Sequence, residues 1–280
     1  MKKITIAITF IVLSVLACQT GATPAAPDNS SVETVVASTL QAYTQEAPKG
    51  ISISFQNVSF VIPDGLASGA TSELAPQTKE EDSGPWAVAP EHVEFTLTGY
   101  LIPRQGFGAV VHVYPAQEYA TVNSWANSSL TRLQTVLANP SGALTNDTLP
   151  TIPFNGAAAQ QYAAQAKLIP FNGGNGVRML SQYAQFPGPI LKENSFYHYE
   201  GLTSDGKYMV AIAVPITLPL QSTPENISAD GVPYPSDITD TAGLTAYFQG
   251  ITDKLNSANP DTFYPTLSLL DALVQSIIVK

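Results

Sequence analysis

The chain has 280 residues, and only 12% of them are charged, about half the share usual in globular proteins. Its formal net charge of −10 argues against nucleic acid and anionic lipid headgroups as electrostatic partners, because both are negatively charged as well. Cys18 is the single cysteine, so no intrachain disulfide can form and a folded domain must be stabilised by its core.

The first residues have the pattern of an export signal. A basic tip, Met1-Lys2-Lys3, precedes an apolar run from Ile4 to Leu16. That run suits the hydrophobic region of a secretory signal peptide and is shorter than the roughly 20 apolar residues of a membrane-spanning helix. We therefore predict that the chain is exported.

The end of this segment, Val15-Leu16-Ala17-Cys18, resembles the lipobox of bacterial lipoproteins, in which the cysteine is lipidated and becomes the first residue after cleavage. The resemblance implies a signal peptide over residues 1–17 and a palmitate-bearing Cys18. Several acyl chains would anchor the protein stably to the cell envelope on the extracytoplasmic side. The alternative is an ordinary signal peptide cut after Ala17 or Ala22, which leaves a free thiol.

Residues 18–50 are predicted to be a tether. Thr20 to Ser31 is rich in Gly, Pro, Ala and Ser, a composition typical of disorder. Apolar residues from Val32 to Tyr43 then recur at helical spacing, which predicts a short helix that ends before Pro48.

The domain is predicted to begin at Ile51. The apolar alternation from Ile51 to Ile62 changes phase at Gln56-Asn57, which indicates either a bulge or two strands joined by a tight turn. Residues 66–90 are predicted to be a loop, since they are small, acidic and Pro-rich. Alternating residues from Val93 to Leu97 predict a strand with one wet face, and Gly108 to Tyr114 is its expected hairpin partner.

A helix is predicted next, from Pro115 to Asn139-Pro140, because apolar residues keep helical spacing throughout. Two strands follow at Gln161–Leu168 and Val177–Ala184. Residues 216–239 form a second Pro-rich acidic loop, and two amphipathic helices close the chain, the first over Leu244–Leu255 and the second over Leu267–Ile277.

The clearest local signal is Asp205-Gly206 between two apolar runs, which predicts a two-residue hairpin turn within Ser195–Pro215. That turn sets a register in which Tyr197 faces Val214 and Tyr199 faces Ile212. Both strands carry apolar residues on both faces, which predicts a position in the middle of the sheet. Together the elements predict one α+β domain over residues 51–280: an antiparallel sheet of about seven strands, four of them in a meander, covered by helices in a layered sandwich.

Parts of this domain resemble PsbP-like domains. The resemblance rests on the strand VSFVIPDG, from Val58 to Gly65, on the order of the later elements, and on the closing helix LDALVQSII from Leu270 to Ile278. It implies an antiparallel sheet between helical layers and a non-catalytic accessory or binding role. The loops at 66–90 and 216–239 and the penultimate helix depart from the pattern, and no functional residue is carried over.

Common catalytic signatures are missing from the sequence, including Gly-x-Ser-x-Gly, His-Glu-x-x-His and nucleotide-binding glycine loops. Two His-x-Glu pairs lie on predicted strands, His92 with Glu94 and His198 with Glu200. Each pair shares one face of its strand, as a metal site requires. The small residues opposite His198 and Glu200 would leave a shallow hollow, so we take this pair as a candidate binding site. The alternative is a wet or helix-covered face that holds a hydrogen-bonded histidine.

The second acidic loop offers oxygen ligands of the kind that Ca²⁺ prefers, namely Asp230, Asp237 and Asp240, with Glu225 nearby. Their spacing does not match an EF-hand. Asp240 or Thr241 is equally suited to cap the helix that follows. Ca²⁺ at these aspartates is the one cofactor that the sequence suggests.

These patterns favour a membrane-anchored exported lipoprotein with a non-enzymatic binding or accessory role at the cell envelope. We expect it to contact the membrane through its lipid and an envelope protein as partner, and not to bind nucleic acid. The alternatives are an envelope hydrolase or glycan-active enzyme built from scattered carboxylates, and a solute- or metal-binding receptor.

Overall fold

The computed structural model describes residues 49–102, 108–154, 158–223, 226–228 and 230–280, and these described residues form one compact unit. The signal peptide, Cys18 and most of the predicted tether, including its helix, lie outside the described residues, so these remain predictions. No helix among the described residues is both long enough and apolar enough to cross a membrane.

The described strands, in chain order, are β1 (Gly50–Phe55), β2 (Val58–Pro63), β3 (Gly69–Ala75), β4 (His92–Thr98), β5 (Val110–Pro115), β6 (Ala159–Gln160), β7 (Ala164–Phe171), β8 (Gly174–Ser181), β9 (Tyr183–Ala184), β10 (Ser195–Thr203), β11 (Tyr208–Ile216) and β12 (Ile278–Val279). The described helices are α1 (Glu80–Ser83), α2 (Ala116–Val122), α3 (Ser124–Ala138), α4 (Thr241–Ser257) and α5 (Leu267–Gln275).

Seven of these strands form the main antiparallel sheet, in the order β3-β4-β5-β11-β10-β8-β7. A smaller sheet has the order β1-β2-β12, and β6 pairs with β9. The prediction of an α+β fold with a seven-stranded antiparallel sheet is therefore confirmed. The predicted meander corresponds to β7, β8, β10 and β11, which are neighbours in the main sheet.

The hairpin of β10 and β11 has the predicted register, with Tyr197 opposite Val214 and Tyr199 opposite Ile212. β11 is the middle strand of the seven. Apolar residues on both faces of this hairpin are buried, as expected for strands with a packed layer on each side.

One face of the main sheet packs against α4, α5 and β2, and the other packs against α2 and α3. The first core includes Phe60, Ile212, Val214, Ile251 and Leu270. The second includes Tyr114, Tyr119, Leu133, Met179 and Met209. The sheet thus lies between helical layers, and the polar residues described below belong to the face under α2 and α3.

Two glycines make room for a tyrosine within the sheet. Gly176 on β8 lies directly opposite Gly201 on β10. A Cβ atom on Gly176 would come within 2.4 Å of the Tyr199 hydroxyl oxygen, and one on Gly201 within 2.6 Å. Because both side chains are missing, the Tyr199 ring lies over these glycines and its hydroxyl donates a hydrogen bond to the Ile169 carbonyl on β7.

The prediction of a loop over residues 66–90 is wrong for Gly69–Ala75, which forms the edge strand β3. Its residues Thr71 to Leu74 are exposed, so an apolar alternation is not needed there and the sequence lacks that signal. β3 is thus one of the seven strands of the main sheet. The strands from Ile51 to Ile62, which we counted towards the predicted seven-stranded sheet, are β1 and β2 of the smaller sheet. The phase change at Gln56-Asn57 is a tight turn between them.

The helix predicted from Pro115 to Asn139 is broken at Asn123. This residue has an extended backbone, with φ −134° and ψ 117°, and its side-chain oxygen accepts hydrogen bonds from the backbone N–H groups of Trp125 and Ala126. Asparagine is a favoured N-cap because it satisfies donors at the start of a helix. The apolar spacing continues through residue 123, so the sequence pattern did not indicate the helix boundary that this cap sets.

Candidate functional site

Polar residues form a row across the face of the main sheet that α2 and α3 cover. The strand register places Glu73, Glu94, His112, Ala211 and Glu200 opposite one another on β3, β4, β5, β11 and β10. His92 lies two residues before Glu94 on β4, and His198 lies two residues before Glu200 on β10. The two predicted His-x-Glu pairs therefore share a face but are separated by β5 and β11.

At one end of the row, His92, Glu94 and His112 form a cluster whose potential ligand atoms all lie within 4.8 Å of one another. We call these three residues the histidine cluster. Nδ1 of His112 lies 3.3 Å from Nε2 of His92 and 3.5 Å from Oε2 of Glu94. Nδ1 of His92 lies 2.9 Å from the Pro90 carbonyl oxygen, which can only accept, so this nitrogen carries the proton.

Burial controls the protonation of the histidine cluster. It lowers the pKa of His92, and together with the nearby His92 it lowers the pKa of His112 to about 3. Desolvation, with a further contribution from Glu73, raises the pKa of Glu94. Both imidazoles are therefore neutral at pH 7, and the contact between His112 and Glu94 is not an ion pair.

The sequence pairs His92 with Glu94 but does not identify His112 as the third member. The signal was partly present, because Gly108 to Tyr114 was predicted to pair with the His92 strand. Without a two-residue turn between those strands, however, the register that puts His112 opposite Glu94 cannot be read from the sequence.

At the other end of the row, His198 and Glu200 are both fully buried. Nε2 of His198 lies 3.0 Å from Oε1 of Glu200, and the Ser129 hydroxyl on α3 donates a 2.6 Å hydrogen bond to Oε2. Ser129 in turn accepts a hydrogen bond from the backbone N–H of Thr151. This geometry corresponds to the helix-covered alternative, and a binding role for His198 and Glu200 stays a prediction.

A cavity of about 500 Å³ opens beside α3, and we call it the α3 pocket. Tyr183 fixes its wall, since its hydroxyl donates to Oε1 of Gln160 at 2.7 Å and accepts from the backbone N–H of Ile152 at 2.9 Å. Gln160 also donates to Asn146. The pocket is further lined by Trp125, Arg132, Asp147, Thr151, Pro153, Ala158 and Ala159. The sequence did not indicate this pocket, because its residues come from distant segments.

Each of the three loop aspartates proposed for Ca²⁺ is hydrogen-bonded locally. Asp230 accepts from the backbone N–H of Gln221, and Asp237 accepts from the backbone and hydroxyl of Thr239, which lowers its pKa. Asp240 caps α4 by accepting from the backbone N–H of Gly243, as the capping alternative predicted. Among the described residues, the histidine cluster brings three potential metal ligands within 4.8 Å of one another, and these aspartates form no such group. Glu225 lies outside the described residues.

Comparison with protein families, curated proteins and solved structures found no match to this chain. The likeness to PsbP-like domains and to lipoproteins therefore stays a prediction from the sequence pattern.

Proposed function

We propose that this protein is a lipid-anchored binding protein on the extracytoplasmic side of the cell envelope, with a non-enzymatic role, and that the α3 pocket takes its ligand. The anchor is supported by the sequence pattern that ends at Cys18. The observation that carries the binding role is the α3 pocket itself, a cavity of about 500 Å³ within the size range of small-molecule sites.

The chemistry of the lining favours a hydroxyl-rich ligand such as a carbohydrate. Trp125 is 44% exposed and offers an aromatic surface on which a sugar ring can stack. Arg132 supplies donors, Asp147 supplies acceptors, and the amide of Asn146 supplies both. The hydrogen bonds of Tyr183 hold part of the wall in place before a ligand arrives, which reduces the entropic cost of binding.

The number of carboxylic acids that line the α3 pocket favours a binding role over hydrolysis. Most glycoside hydrolases place two carboxylic acids on either side of the bond that they cleave. Of the described residues that line the α3 pocket, Asp147 is the one carboxylic acid. The polar lining is therefore better suited to holding a glycan than to cutting it.

Two experiments test this proposal. Cells that express the chain are labelled with an alkyne analogue of palmitate; we expect the wild type to incorporate it and Cys18→Ala to lose it. A mature N-terminus beyond residue 18, or absence of label in the wild type, would contradict the anchor.

Ligand binding is tested on the full-length protein in detergent, with a panel of neutral and acidic oligosaccharides measured by calorimetry. We expect Trp125→Ala to weaken binding by up to about tenfold, because one stacking contact contributes roughly 0.5–1.5 kcal/mol. Trp86→Ala is the matched control, because Trp86 is similarly exposed, at 41%, and does not line the pocket. Equal affinity in the two variants, or no oligosaccharide binding at all, would refute the proposed site.

A further inference from the structure

We propose that the histidine cluster, formed by His92, Glu94 and His112, is a binding site for a divalent transition-metal ion, and that zinc suits this ligand set best. The proposal goes beyond the function of the α3 pocket, because none of these three residues lines that pocket. Two imidazoles and one carboxylate form a ligand set that zinc accepts, whereas Ca²⁺ and Mg²⁺ prefer oxygen ligands.

The backbone places the three side chains before any ion binds. His92 and Glu94 are two residues apart on β4, so they point to the same face, and His112 lies directly opposite Glu94 on β5. These strands are hydrogen-bonded neighbours inside the main sheet. A site built on paired strands is held more rigidly than one on loops.

The spacing of the ligand atoms fits a tetrahedral ion. Four atoms bound to zinc at about 2.0–2.1 Å lie about 3.4 Å from one another. In the histidine cluster, His112 Nδ1 lies 3.3 Å from His92 Nε2 and 3.5 Å from Glu94 Oε2. Both distances lie within about 0.1 Å of that separation, as expected for atoms placed to share one ion.

The surroundings orient the two rings. His92 donates its Nδ1 proton to the Pro90 carbonyl, which leaves the lone pair of Nε2 directed at the histidine cluster. Metal-binding histidines typically make such a hydrogen bond with the nitrogen that does not bind the metal. The His92 ring stacks on Tyr114 at 4.2 Å, and the His112 ring lies 4.6 Å from that of Phe154. These contacts fix the rings in place.

The charges also favour a cation. Glu73 lies opposite Glu94 on β3, so two carboxyl groups face one another beside the two imidazoles. A cavity of about 130 Å³, lined by Glu73, Glu94 and neighbouring Thr and Ser side chains, lies beside the histidine cluster. It leaves room for Glu73 or a water as a fourth ligand.

The experiment uses the full-length protein in detergent, stripped of metal with a chelator and titrated with Zn²⁺ by calorimetry. We expect one ion per chain and a higher melting temperature with Zn²⁺ than with chelator. Glu94→Gln should weaken Zn²⁺ binding at least about tenfold. Glu91→Gln is the matched control, since it removes the same charge from an exposed position close by, and it should bind like the wild type.

The proposal is overturned if the wild type takes up no stoichiometric Zn²⁺, or if both variants bind it equally well. Should Glu94→Gln fail to fold, the ring resonances of the wild-type histidines decide the matter. Zn²⁺ should change the signals of His92 and His112 and leave those of His198 in place, and any other pattern contradicts the site. Failure of oligosaccharide binding would leave this result unaffected.

Discussion

The hydroxyl of Ser129 donates a 2.6 Å hydrogen bond to Oε2 of Glu200, and neither side chain is exposed to solvent. Ser129→Ala removes this donor and leaves a buried carboxyl oxygen without it. We expect the free energy of unfolding to fall by about 1–3 kcal/mol, measured by chemical denaturation. Ser128→Ala is the control, because its hydroxyl is exposed and bonds the carbonyl of Ser124. A similar loss in both variants would contradict a special role for the buried bond.

Gly176 is expected to tolerate no side chain. A Cβ atom there would lie 2.3 Å from the Glu200 carbonyl oxygen, which belongs to the neighbouring strand and cannot move aside cheaply. We expect Gly176→Ala to lower the free energy of unfolding by about 3 kcal/mol. Gly188→Ala should change it little, since its nearest heavy atom is 3.9 Å away. Thermal melts of the two variants give the comparison, and equal melting temperatures would refute the prediction.

Arg178, which is buried, and Asp271, which is partly exposed, form an ion pair on the opposite face of the main sheet, with Nε and Oδ1 3.3 Å apart. Tyr197 donates a hydrogen bond to the same oxygen. Asp271→Ala leaves the Arg178 charge, which is 3% exposed, without its partner. We expect a loss of about 3–5 kcal/mol in the free energy of unfolding. The double variant Arg178→Met with Asp271→Leu should be more stable than Asp271→Ala alone, because no buried charge remains. A double variant no more stable than Asp271→Ala would contradict the view that the unpaired Arg178 charge causes the loss.

The turn residue Asp205 links stability to pH. Hydrogen bonds from the Thr203 hydroxyl and from the side chain and backbone of Lys207 lower its pKa from 3.8 to about 2. A carboxyl whose pKa is lower in the folded state adds stability above pH 3.8, and this contribution is lost as the pH falls towards 2. Asp205→Asn keeps an oxygen acceptor but cannot titrate. We expect its melting temperature to lie below that of the wild type at pH 6 and the difference to shrink as the pH falls from about 4 towards 2; a constant difference would exclude the linkage.

The fold could be predicted where a local signal sets the geometry. Asp205-Gly206 alone determines the register of β10 and β11, because a two-residue turn leaves one pairing. β3 could not be predicted, since an edge strand with exposed Thr and Glu needs no apolar alternation. The helix boundary at Asn123 could not be predicted either, because the apolar spacing continues through it and the N-cap depends on one side chain.

The candidate site depends on long-range register, and for that reason the sequence gives only part of it. His92 and Glu94 are near neighbours in the chain, so strand alternation alone puts them on one face. His112 joins them only through the pairing of β4 with β5. The network of Ser129 with Glu200 requires α3 to dock on the sheet, a contact between residues 71 positions apart that periodicity cannot specify.

β1 begins at Gly50, the last residue of the predicted tether, and is the outer strand of the small sheet, paired on one side with β2. If Cys18 carries the predicted lipid anchor, a mechanical pull on that anchor would load β1 before any other described strand. Its ladder to β2 would unzip while the main sheet, which shares no strand with the small one, kept its hydrogen bonds. Under such a load the small sheet would open before the main sheet.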